Sequence, residues 1–95
     1  MRVDSKEKLE RALSEVGIVG EWVEPDKYGY SRLYEFNTRG TNVVIEWYCN
    51  YPTIMIGSAS MSFTHINVFR GCHGDREWIE FTFKGENPLR LMIKG

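Results

Sequence analysis

The apolar positions of this chain change period once. Leu9, Ala12, Leu13 and Val16 recur at i, i+3, i+4 and i+7, the spacing of one helix face. Asp4 stands where an N-cap belongs, and Glu7 three residues on completes a capping-box pattern. Gly17, followed by Ile18, matches a left-handed C-terminal cap with an apolar residue folding back on the last turn. The pattern predicts a helix over 5–16.

From Gly20 onward the period falls to two, the signature of half-buried strands. A short strand is expected over 20–24, closed by the turn Pro25-Asp26-Lys27. Tyr28, Tyr30, Tyr34 and Phe36 share one parity, and Asn37-Thr38-Arg39-Gly40 reads as a hairpin connection. The strongest alternation sets Val43, Ile45, Trp47, Cys49 and Tyr51 against Val44, Glu46, Tyr48 and Asn50. Pro52 ends that run, since proline cannot donate to a central ladder. A short strand over 53–56 stops at Gly57.

Residues 61–69 read as one strand with both parities partly apolar, so its inward face stays open. Gly71-Cys72-His73-Gly74-Asp75 reads as a loop and Gly85-Glu86-Asn87-Pro88 as a turn. Between them Ile79, Phe81 and Phe83 mark a core face, with Trp78, Glu80, Thr82 and Lys84 opposite. Leu89, Leu91 and Ile93 form the last strand.

These elements predict an α+β fold in a single domain over 1–95. An N-terminal helix packs on a curved antiparallel sheet, a meander of five to seven strands. The short connections leave no room for parallel crossovers. One three-turn helix covers about one face of three strands. The remaining aromatic surface must curl into a partial barrel, stay exposed, or pair with another chain.

Composition narrows the classes. With 42% hydrophobic and 26% charged residues, the chain is globular rather than disordered. Twelve basic against thirteen acidic residues give a net charge of −1, without the basic excess of a duplex-DNA binder. Two cysteines are too few for a disulfide scaffold. No apolar run suggests a membrane span, and the first residues lack a signal-peptide core. A cytoplasmic protein with no membrane association is expected.

Candidate chemistry is sparse. Adjacent Cys72 and His73 could pair a thiolate with a base, but neighbouring side chains in a hairpin loop usually point apart. Cys49, His65, Cys72 and His73 are the soft metal ligands, at spacings unlike paired zinc motifs. No cofactor-binding glycine loop occurs, so no cofactor is expected. Glu46, Glu77 and Glu80 are the strand-borne acids, which normally form a solvated face paired to Arg or Lys.

Two binding readings remain. Tyr28, Tyr30, Tyr48, Tyr51 and Trp78, with Lys27, Arg32, Arg70 and Arg76 nearby, could stack a single-stranded nucleic acid, although the chain is not basic. Better matched to its aromatic, methionine and arginine content is a protein interface. Its expected members are Tyr48, Tyr51, Met55, Met61, Arg70, Arg76 and Trp78. The leading expectation is a small non-enzymatic protein-binding module, an inhibitor or adaptor acting on a larger protein through an aromatic sheet face and the 70–76 loop. Viral, phage or mobile-element accessory proteins share this format, an analogy of size alone. An edge strand could also support a homodimer. A single-stranded nucleic-acid binder, and an enzyme or metal site at Cys72 and His73, are the alternatives.

Overall fold

The computed structural model describes residues 1–23, 32–47, 51–72, 74–84 and 86–95, with the side chains of Arg32, Cys72 and Glu86 left aside. Among the described residues one helix, α1 (Lys6–Ser14), precedes eight antiparallel strands. The class is α+β as expected, but the strands form two sheets rather than one curved sheet of five to seven. The larger sheet runs β1 (Glu21–Val23), β2 (Arg32–Thr38), β3 (Thr41–Trp47), β4 (Thr53–Ile56), β5 (Ala59–Ser62) in spatial order. The smaller runs β6 (His65–Cys72), β7 (Arg76–Phe83), β8 (Glu86–Lys94).

The helix is shorter than the expected 5–16: its N-cap sits one residue inward, and its α-helical residues end at Ser14, two before Val16. Ser5, not Asp4, is the N-cap: its backbone is extended and its hydroxyl accepts from the Lys8 N–H at 3.2 Å. Asp4 instead pairs with the Lys8 ammonium at 2.9 Å. Gly17 takes φ 78°, as its position predicted. Ile18 N–H then reaches back to Leu13 O and Gly17 N–H to Ser14 O, the paired bonds of a Schellman termination. Ile18 is buried, as that closure requires.

In the larger sheet, strand alternation matches expectation. Tyr34, Phe36, Val43, Ile45 and Ile54 point into the core. Register places Tyr34, Ile45 and Ile54 side by side across three strands. The β2–β3 hairpin turns through Arg39 (φ 51°) and Gly40 (φ 77°), the left-handed pair of a two-residue type I′ turn. β1 is held by an unusually close approach. Gly20 N–H donates to the Tyr34 hydroxyl at 2.8 Å. A Cβ at Gly20 would fall 2.6 Å from the Glu35 carbonyl oxygen.

The expected 61–69 strand is two strands on different sheets, which explains its mixed parity. Phe63 and Ile66 are both buried although three residues apart, because the chain changes sheet between them. Thr64 marks the crossing. Its N–H donates to Thr82 O at 2.8 Å, and its hydroxyl accepts from Lys84 N–H at 2.8 Å. Backbone bonds from Val3 to Thr64 and between Met1 and Ile66 run along the outer edge of β6. β8 begins at Glu86, earlier than the expected 85–88 turn allowed. Asn87 takes φ 41° and Pro88 follows where the register slips between Phe81 and Phe83, at an edge strand that tolerates a missing donor.

The inward faces of both sheets and the Leu9, Ala12 and Leu13 face of α1 share one core. Phe63 and Phe81 meet edge-on within it at 5.1 Å. The turn expected at 25–27, with Tyr28, Tyr30, Tyr48, Cys49 and His73, lies outside the described residues. No described helix is long and apolar enough to cross a membrane.

Candidate interaction surface

The solvent side of the three-stranded sheet carries a cluster of mutually contacting side chains. On β7, Ile79 and Phe81 go inward, so Trp78 and Glu80 go outward. Register sets Phe69 of β6 and Met92 of β8 on either side of Trp78, and Asn67 and Arg90 on either side of Glu80. Phe69 stacks on the indole at 5.1 Å with planes 15° apart. The Arg90 guanidinium lies 4.9 Å from the same ring.

One carboxylate oxygen locks this arrangement. Glu80 Oε2 accepts from Trp78 Nε1 at 3.1 Å and from Arg90 Nη2 at 3.2 Å. The outward tryptophan is therefore only 8% exposed. Arg90 keeps 58% of its side chain in solvent. An arginine held over an aromatic ring by a carboxylate has already lost much of the rotamer freedom that binding would remove.

The hairpin end of the same sheet adds further charge. A register shift between Arg70 and Cys72 turns the strand around Gly71. Arg70 pairs with Glu77 at 3.4 Å, and Arg76 is exposed. Arg70, Gly71, Asp75, Glu77 and Lys94 line an open depression there.

The seven residues expected at an interface do not form one patch. Arg70, Arg76 and Trp78 share the three-stranded sheet and its hairpin end. Met55 lies on the outer face of the larger sheet, opposite Val44 and Ser60. Met61 has inward parity and lines an apolar groove with Ile54, Ile56 and Leu89. Tyr51 is 42% exposed and meets Phe83 edge-on at 5.3 Å. Tyr48 lies outside the described residues.

The sequence reading placed Glu80 on the outward face as a strand-borne acid of the kind that pairs with Arg or Lys, but it did not single out Phe69, Arg90 or Met92. The Leu89/Leu91/Ile93 alternation already placed Arg90 and Met92 outward. Phe69 was hidden by the unrecognised change of sheet before it.

The other candidates differ in kind. Among the described residues no three His, Cys, Asp or Glu side chains converge to hold a metal ion. His65 is half-buried, with Nδ1 2.8 Å from the Thr64 hydroxyl. A cleft between α1 and β1 is bounded by polar groups already engaged with one another. Trp22 Nε1 donates to Glu10, and the Tyr34 hydroxyl accepts from Gly20. Comparison of the chain with protein-family models, curated proteins and solved structures finds no match.

Proposed function

We propose that this protein is a non-enzymatic protein-binding module, an inhibitor or adaptor that contributes surface rather than chemistry. Its contact surface is the outer face of the three-stranded sheet together with the hairpin end at 70–76. The observation that carries this reading is Arg90, fixed on Trp78 by Glu80 yet mostly exposed. Interfaces concentrate binding energy in arginine and aromatic residues supported by packed neighbours. Phe69 and Met92 extend the apolar part of the surface, and Arg76 extends the cationic part. The complementary partner surface is apolar with carboxylates at its rim.

In this reading Trp78 is a platform beneath the contact rather than the contact itself. The test is affinity capture of nuclease-treated host lysate with the wild-type protein and with Arg76→Ala/Arg90→Ala. Both substituted side chains are exposed, so circular dichroism of the double variant stays native. One stoichiometric protein partner retained by wild type and lost from the variant is the expected result. A partner retained equally by both, or one released by nuclease, refutes the assignment; release by nuclease favours single-stranded nucleic acid instead.

A further inference from the structure

The outer face of the five-stranded sheet has a different character. Two rows of paired residues cross it. One is Val23, Leu33, Glu46, Thr53 and Ser62. The other is Glu21, Glu35, Val44, Met55 and Ser60. Val23 faces Leu33 directly, Val44 faces Met55 directly, and Leu33 and Val44 are diagonal neighbours. The four make an apolar band that crosses four strands obliquely. None of them belongs to the core, and Val23 is 38% exposed.

Glutamates flank the band. Glu46 lies on one side, Glu21 and Glu35 on the other. Their side chains make no ion pair with any described residue. No lysine or arginine occupies a described outward position of this sheet. Glu21 and Glu35 are register partners on adjacent strands. Directly opposed like charges destabilise a sheet, and an intramolecular partner normally relieves them. Here no described residue supplies that partner, which leaves the glutamates available to a cation from another molecule.

We infer that this face is a second docking surface, and that its occupant is a cationic amphipathic helix of a partner protein. Charge complementarity selects the sign. Dimensions select the helix. Three strand spacings of ~4.8 Å and a two-residue offset along the strands make the band about 16 Å long. That matches roughly three helical turns, with apolar residues at i, i+4, i+7 and i+11 on the band and lysines or arginines beside them. A strand added at the edge of β1 would reach Val23 and leave the other three uncovered. The inference is independent of the three-stranded surface; with both, the module would join two partners.

The probe is a synthetic alanine-based peptide of about 18 residues, long enough to populate a helix, with leucines at that spacing and flanking lysines. Its control carries glutamate for every lysine. Titration of the full chain should give saturable binding of the lysine peptide alone, with Met55 protected from peroxide oxidation and Met92 not protected. Glu35→Lys should weaken binding about tenfold, chiefly through slower association. The thermal midpoint should not fall, which separates lost binding from lost fold. Arg76→Ala/Arg90→Ala should bind the peptide as wild type does. Absent or charge-independent binding, unprotected Met55, or an unaffected Glu35→Lys variant overturns the inference. A dimer in sedimentation equilibrium that Glu35→Lys disperses also overturns it, by assigning the face to a second copy.

Discussion

The two outer sheet faces of this protein treat charge in opposite ways. On the outer face of the three-stranded sheet, Glu80 serves Trp78 and Arg90 at once. On the five-stranded sheet, Glu21 and Glu35 oppose each other, and Glu46 has no ion-pair partner among the described residues. On the first face the hydrogen bonds and ring contacts are made within the fold. On the second, Glu21, Glu35 and Glu46 make no ion pair with a described residue. Apolar area alone would not distinguish them. What differs is whether each charged group finds its complement among the described residues.

The largest expected effect breaks the first face. Trp78→Ala removes the surface on which Phe69 and Arg90 rest and leaves Glu80 without its indole donor. It should destabilise the fold by about 3 kcal/mol. Met55→Ala, on the second face, should lose about 1 kcal/mol, because it is only half-buried. Urea denaturation of both variants measures the contrast; equal losses would contradict it. Glu80→Ala comes next. It releases Trp78 and Arg90 together and should lose about 1.5 kcal/mol, while Arg90 becomes mobile by side-chain NMR relaxation.

A smaller effect of opposite sign sharpens the second face. Glu35→Gln removes the repulsion with Glu21 and should stabilise the protein by about 0.3 kcal/mol. Added salt should raise wild-type stability relative to this variant, since salt screens only the charged pair. A destabilised Glu35→Gln protein would mean that the carboxylate has a supporting partner after all.

The smallest effect lies on neither face. The hydrogen-bonded Lys8 ammonium holds the Asp4 carboxyl below the ordinary aspartate range. With the folded value depressed, the pair's stabilisation is present above the unfolded value near ~3.9 and fades as pH falls through the folded one. Carboxyl NMR titration should show Asp4 returning to the ordinary range in Lys8→Ala, and both sheet faces unchanged.

Much of the architecture was legible in the residues. Leu9, Ala12 and Leu13 announced the buried helix face, and Gly17 its termination. Val43 and Ile45 announced the central strand, and Ile79 with Phe81 its counterpart in the other sheet. What alternation could not show was sheet membership. Period two is the same in one sheet or two, so the crossing at Thr64 looked like one strand of ambiguous parity. Ser5 prevailed over Asp4 as cap because Asp4 found Lys8 one turn ahead.

The proposed interaction surface was legible only in part. Arg70, Arg76 and Trp78 were chosen through residue type, and they share one sheet. Met55 and Met61 were chosen the same way, yet they belong to another face and to the interior. Residue type reveals propensity for interfaces, but only register reveals which residues are neighbours. Arg90 and Glu80 matter because of where β7 and β8 align, a long-range fact that local spacing does not carry.

The most direct test of the proposed function uses the methionine that each face happens to carry. Met92 stands beside Trp78, and Met55 stands beside Val44. The measurement is the peroxide oxidation rate of both methionines in the free protein and in complex with the partner captured through Arg76 and Arg90. Oxidation responds to local exposure of the thioether. The account predicts that the partner slows oxidation of Met92. An unchanged Met92 rate in a saturated complex would contradict the placement of the protein-binding surface on the three-stranded sheet.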